Sequence, residues 1–164
     1  ATGWNYANCL PYFKKADDWK FGEDKYRSTG GLLAVNNGNE MVNPLYKAFI
    51  NAGVEAGYVS TEDYNGHRQE GFGAMHMTVK NGVRWSAANA YLKPALQRPN
   101  LQVITGALSQ RILLDGHRAT GVEFLRGGSK HVVSARREVM LSARPLASPH
   151  LLHVARIGPV AVLD

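Results

Sequence analysis

Apolar residues recur with a helical period in the first part of this chain and gather into short extended runs in its last third. After Asn43-Pro44, the residues Leu45, Ala48, Phe49 and Ala52 hold the i, i+3, i+4, i+7 spacing of one apolar helix face. Asn43 is a good N-cap, and Pro44 suits the first helical position, where no N–H partner is needed. Gly53 weakens this helix and Gly57 ends it. Ser86 predicts the cap of a second helix running through Ala90, Tyr91 and Leu92 towards Pro94. Pro11 predicts the first turn of a third, through Lys14, Lys15 and Ala16. The dense aromatic patch of Trp4, Tyr6, Tyr12, Phe13 and Trp19 reads as core packing, with a substrate-facing cage as the lesser reading. Asp17-Asp18, beside two lysines, reads as a solvated helix face.

The extended runs come next. Residues 22–42 are rich in glycine, asparagine and charge, a loop around one short strand at Leu32-Leu33-Ala34-Val35. Residues 75–79 alternate like a strand closed by a turn at Asn81-Gly82, and Asn65-Gly66 marks another turn. From Leu101 the runs 101–105, 107–114, 118–125 and 130–135 are separated by Asp115-Gly116 and Gly127-Gly128, which predicts an antiparallel meander. A boundary falls near Pro99, where helices and loops give way to sheet. Val139-Met140-Leu141 then reads as a strand buried on both faces, running into a small-residue loop at Ser142-Ala143. Ser148-Pro149 reads as an N-cap and first helical residue, Leu151, Leu152 and Ala155 as the apolar stripe, and Gly158-Pro159 as the stop. The fold class is mixed α/β. A strand, tight loop and helix start can present backbone N–H groups to an anionic cofactor, and can equally be an ordinary joint in a core.

Composition narrows the picture. A hydrophobic share of 45% and a charged share of 20% over 164 residues belong to a folded chain with a core. No apolar run approaches the roughly 18 residues of a membrane span. The net charge of +6 raises nucleic acid as a partner. Its longest basic runs, Lys14-Lys15 and Arg136-Arg137, lie beside Asp17-Asp18 and Glu138, so nucleic-acid binding is not expected. Cys9 is the single cysteine, which leaves no internal disulfide. His150 and His153 share helical spacing but lack further ligands nearby, so no metal is expected. Gly71-x-Gly73-x-x-His76 lacks the third glycine of a dinucleotide fingerprint and is rejected as one. The chain begins at Ala1 and reads as a piece of something longer. Residue chemistry alone reaches an α/β fragment with one suggestive loop.

Longer motifs say more. Gly3-Trp4-x-Tyr6-Ala7-x-Cys9-Leu10-Pro11-Tyr12-Phe13-Lys14-Lys15-Ala16 resembles the middle segment of glucose–methanol–choline (GMC) oxidoreductases. The likeness continues through Asp63-x-Asn65-Gly66, Gln69-Glu70-Gly71-Phe72-Gly73, Gly82-x-Arg84-x-Ser86 and Tyr91-Leu92-x-Pro94-Ala95. It runs on through Arg98-Pro99-Asn100-Leu101 and Arg118-Ala119-x-Gly121-Val122-Glu123. Asn36-Asn37-Gly38-Asn39 and Met75-His76-Met77-Thr78-Val79 look most like the choline-oxidising bacterial branch of that family. In this sequence the likeness covers essentially the whole chain, in order.

The resemblance implies part of a two-domain FAD enzyme of glycine betaine biosynthesis that oxidises a small primary alcohol such as choline, giving betaine aldehyde, by hydride transfer to flavin. It implies that the N-terminal Rossmann glycine-rich motif and the C-terminal catalytic region lie outside this chain. No catalytic residue is then expected within it, and the isolated piece is expected to be inactive. Residues 1–98 would belong mostly to the substrate-side domain and 99–164 to the returning FAD domain. Ser109, Ala143 and Arg144 are the residues the likeness places at the cofactor. Ser109 stands where relatives have valine in a strand that touches the adenine end through its backbone. Arg144 stands where they have glycine or alanine, and Ala155-Arg156 where they have serine-glycine. Ser28 and Leu32 replace glycine and proline. Weaker FAD binding than in relatives is expected, and a decayed, non-catalytic member of the family or a different alcohol dehydrogenase or oxidase of it are the alternatives. By resemblance the full protein is bacterial, and cytoplasmic or peripheral to the inner membrane.

Overall fold

The computed structural model describes residues 2–37 and 41–159, so Gly38 and Asn39 of the asparagine-rich motif lie outside the described residues. The fold is mixed α/β and divides into two compact units, Ala1–Gln102 and Val103–Asp164.

In the first unit, helix α1 (Tyr6–Ala16) starts at Asn5, whose side chain accepts from the Asn8 N–H at 3.0 Å. Pro11 therefore sits inside the helix and not in its first turn. The asparagine cap sets the start, and Pro11 forfeits one intrahelical bond. Asp17 is not on a solvated helix face: the chain leaves α1 straight into strand β1 (Asp17–Trp19), where Asp17 is 7% exposed. The predicted strand at residues 32–35 forms as β2 (Leu33–Val35), parallel to β1 with Asp17 opposite Leu33 and Trp19 opposite Val35. Gly31 makes this pairing possible, since a Cβ there would overlap the carbonyl oxygens of Ala16 and Asp17.

Helix α2 (Pro44–Glu55) follows its sequence signals. The Asn43 side chain accepts from the Leu45 N–H at 3.0 Å, and Gly57 takes φ +89° just past the end. Residues 75–79 do not form a full strand. Met77 makes an isolated bridge to Asn36, and only Val79–Lys80 pairs, as β3, with β4 (Val83–Arg84). Asn81 and Gly82 both have positive φ, 51° and 74°, the geometry a two-residue hairpin demands. Ser86 does not cap through its side chain; its carbonyl accepts the Ala90 N–H at 2.9 Å. The following turn, Ala88–Leu92, is π-helical before α3 (Lys93–Ala95). Pro94 accounts for the widening, because its ring crowds the carbonyl one turn earlier.

The second unit is a three-stranded antiparallel sheet in the order β5 (Leu108–Asp115), β6 (Arg118–Arg126), β7 (Ser129–Ser134). The predicted meander forms, with Gly127 and Gly128 turning at φ 57° and 80°. Residues 101–105 stay outside it, and Val139-Met140-Leu141 is not a buried strand: Met140 is 81% exposed. A strand needs a neighbour to hydrogen-bond, and none of the described residues supplies one to either run. Ile112, Phe124 and Leu151 form the buried core, the last from helix α4 (Arg144–Val154).

Helix α4 starts five residues before the predicted position. Pro145 takes the opening place expected of Pro149, which now lies inside the helix. Ser148 does not cap; its hydroxyl accepts the Ala143 N–H across the loop at 3.0 Å. The helix also stops before Gly158. Arg156 takes φ +57°, its N–H bonds His153 at 2.8 Å, and Ile157 N–H reaches Leu152 at 2.8 Å. That pair of bonds is a Schellman ending, with arginine in glycine's usual place.

Candidate functional site

Two places concentrate chemistry, one in each unit. In the second unit, Ser109 and Ala143 line one cavity of about 310 Å³ with Arg111, Ile112, Val122, Leu151 and residues 139–142. Sequence order keeps these residues 34 positions apart. The sheet and the packing of α4 against β5 bring them together. Ser109 faces Phe124 across the ladder, and the register slips between Ser109 and Arg111. Such a bulge bends the strand and re-aims the residues beside it. Arg111 adds a positive charge to the wall, with its guanidinium 3.8 Å from Glu123. The cavity is at the small end of ligand pockets, which run from about 300 to 1,000 Å³, so it has room for one ring system.

Arg144 is placed differently. It is exposed, is not among the residues lining the cavity, and takes φ +69° at the start of α4. Its backbone carries the departure from glycine, at a cost of about 1–2 kcal/mol for a left-handed non-glycine residue. The Ala143 N–H is committed to Ser148. The donors this joint can still offer are the first-turn N–H groups of α4, which lack intrahelical partners.

The first unit holds a cluster that sequence reading missed. Arg27, from the loop between β1 and β2, lies between two carboxylates, with Nη1 3.4 Å from Asp17 Oδ2 and Nε 2.9 Å from Asp63 Oδ2. The Asp63 contact is an ion pair whose angle falls outside hydrogen-bond geometry. The guanidinium stacks 4.1 Å from the Trp19 ring centre. His76 completes the group. Its side chain is 3% exposed, and its Nδ1 lies 3.4 Å from Asp63 Oδ1, 3.4 Å from Arg27 Nη2 and 3.3 Å from Asn65 Nδ2. Its ring packs on Tyr64 at 4.3 Å and on Trp19 at 4.6 Å, and its backbone N–H donates to the Tyr64 hydroxyl at 2.9 Å.

Burial pushes the His76 ring below the ordinary imidazole range; the Arg27 charge adds to this, while Asp63, the Glu62 backbone and Asp17 oppose it. Burial likewise pushes the Asp17 carboxyl up, against the pull of Arg27 and the Ser28 N–H. The one signal in the sequence was the Asp63-x-Asn65-Gly66 turn lying within fourteen residues of His76. Nothing local tied either to Asp17 or Arg27.

Comparison with known proteins supplies the class. The family model described as GMC oxidoreductase matches residues 1–162, and the chain belongs to that family. Curated relatives include an oxygen-dependent choline dehydrogenase of Vibrio vulnificus, 54% identical over 100% of this chain and 30% of its own length. A protein of the same description from Brucella anthropi is 52% identical over 99% of this chain and 29% of its own length. Among solved structures, pyridoxine 4-oxidase from Mesorbium loti superposes with a TM-score of 0.87 at 33% identity, covering 98% of this chain and 32% of that one. An FAD-dependent oxidoreductase from Chaetomium thermophilum shares the fold, with a TM-score of 0.87 at 23% identity. The chain thus spans about 30% of the length of the relatives it matches. No helix among the described residues is long and apolar enough to cross a membrane.

Proposed function

We propose that this chain is an internal part of an FAD-dependent alcohol dehydrogenase that oxidises choline to betaine aldehyde. The observation that carries the reading is the 54% identity, over the whole chain, to a choline dehydrogenase. In this assignment residues 1–98 lie mostly on the substrate side and 99–164 on the FAD side. When bound, FAD accepts the hydride that leaves the alcohol's carbinol carbon.

The cavity in the second unit fits one end of that cofactor. It is large enough for a single ring system, and it is walled by apolar Ile112, Val122 and Leu151 with the short side chains of Ser109, Ser142 and Ala143. These residues would hold the adenine end, with the first turn of α4 facing negative charge. Arg144 would act through its backbone and not as a cavity wall. The chain by itself would be inactive, because no described residue here is assigned the alcohol's proton or the flavin ring. The full protein is assigned to the cytoplasm or to the periphery of a membrane.

A second reading, a non-catalytic product of a decayed gene, draws on one observation: two arginines hold left-handed backbone at the ends of α4. Flavin content separates the readings. The full-length protein is expected to purify with flavin absorbance, and residues 1–164 alone without it. A full-length, folded protein that takes up no flavin on titration would favour the decayed gene.

A further inference from the structure

The Asp17–Arg27–Asp63–His76 cluster has two ways to pair its charges, and only one is occupied. His76 Nδ1 faces two hydrogen-bond donors, the Arg27 guanidinium at 3.4 Å and the Asn65 amide at 3.3 Å. A neutral ring accepts from these two donors at Nδ1 and carries its proton on Nε2, which is buried without a partner in hydrogen-bond geometry. Asp63 then belongs to Arg27, with Nε at 2.9 Å, although its other oxygen is only 3.4 Å from His76. A proton on Nδ1 turns that acceptor into a donor. It repels the guanidinium and attracts Asp63, which can satisfy His76 or Arg27 but is poorly placed for both.

We propose that these four residues form a proton-operated latch, in which protonated His76 takes Asp63 from Arg27 and frees the loop between β1 and β2 from the turn at residues 63–66. Arg27 is the only side chain of that loop paired to Asp63 among the described ion pairs, and it carries the loop's charged tie to this turn. A second tie, a hydrogen bond, runs from the Tyr26 hydroxyl to His67 Nδ1, 3.3 Å away and one residue past the turn. The groups facing His76 are accounted for on each element packed against it. Asp17 and Trp19 come from β1, Arg27 from the loop, Asp63, Tyr64 and Asn65 from the turn, and the Glu62 backbone from the residue before it. On release Arg27 keeps Asp17 at 3.4 Å and its stacking on Trp19, so the loop detaches at one end and the unit stays folded. The Asp18–Lys80 pair, 3.8 Å apart and half-exposed, stands outside this exchange.

The test is amide hydrogen exchange by mass spectrometry on the full-length protein at about pH 5 and about pH 8, the span across which histidine titrates. Rates are corrected for the intrinsic pH dependence of exchange. Peptides covering residues 20–32 are expected to lose protection at the acid pH by about fivefold or more, while peptides from β5 to β7 stay unchanged. His76→Gln is expected to abolish the difference. Asp63→Asn is expected to leave the loop poorly protected at both pH values. Three results would overturn the latch: protection in the parent protein that does not change with pH, the same change retained in His76→Gln or Asp63→Asn, or a loss spread over β5 to β7 that marks general acid unfolding.

Discussion

Arg144 and Arg156 bracket α4, and both hold left-handed backbone, at φ +69° and +57°. Glycine takes such angles freely, whereas an L side chain meets its neighbouring carbonyl there. The two sites differ in what surrounds them. Arg156 closes a helix with complete Schellman bonding, so its cost is purely conformational. Arg144 opens the helix beside the cavity that Ser109 and Ala143 line, so its cost falls on the joint assigned to the cofactor.

Replacing Arg156 by glycine should therefore stabilise the protein. The gain expected is about 1 kcal/mol, seen as a rise in Tm of about 2–4 °C for a chain of this size. Differential scanning calorimetry of the two proteins checks it, and an unchanged or lower Tm would show that the left-handed ending is no burden.

Arg144→Gly should act on binding as well. In the full-length protein, combined with Arg156→Gly, it is expected to tighten FAD binding by about tenfold, which is the effect of about 1–2 kcal/mol of strain that the bound protein must bear and the free protein relaxes. A fluorescence titration of apoprotein with FAD measures it. Unchanged affinity would place the strain in bound and free protein alike.

Gly53 in α2 reverses the usual helix rule. An alanine in place of an interior helical glycine ordinarily gains up to about 1 kcal/mol. Here the added Cβ would overlap the Phe72 ring, which is itself packed against Phe49 at 5.2 Å and Tyr58 at 5.5 Å. Gly53→Ala should cost about 1–3 kcal/mol, read from the urea midpoint. The sequence marks this glycine only as a weak point in the helix; the ring that needs its space comes from nineteen residues further on.

Stability should also fall with acid through His76. Its ionisation is held below the unfolded value of 6.5, so the unfolded chain binds the proton first. The contribution is fully present above about pH 6.5 and is lost as pH falls towards the folded-state value. Asp17 has the opposite sign: its raised ionisation favours the fold below 3.8, and that contribution is lost as pH rises through the folded value. Denaturant midpoints taken stepwise from about pH 8 to about pH 5 should decline in the parent protein, and His76→Gln should flatten the slope. An equal slope in both would remove His76 as its source.

Legibility in the sequence followed how local each determinant was. Asn43-Pro44, Asn81-Gly82 and Gly127-Gly128 set their own caps and turns, and the structure forms them where they stand. Val139-Met140-Leu141 reads as a buried strand because its composition suits burial, yet burial requires neighbours that the described residues do not contain. Ser148-Pro149 and Pro145 compete to open one helix, and the earlier proline prevails while the serine turns back to Ala143. Asp17 looked solvated beside two lysines because the partner that buries it, Arg27, lies ten residues on in an irregular loop. Ser109 and Ala143 were named through family likeness alone; the cavity they share arises from sheet and helix packing, which no spacing rule expresses.

The central claim, that this chain belongs to an FAD enzyme acting on choline, is tested most directly by anaerobic mixing of choline with the full-length protein loaded with FAD. Bleaching of the flavin absorbance in proportion to the enzyme present, with betaine aldehyde as product, is the result expected. Flavin that stays oxidised with choline but bleaches with another alcohol would contradict it.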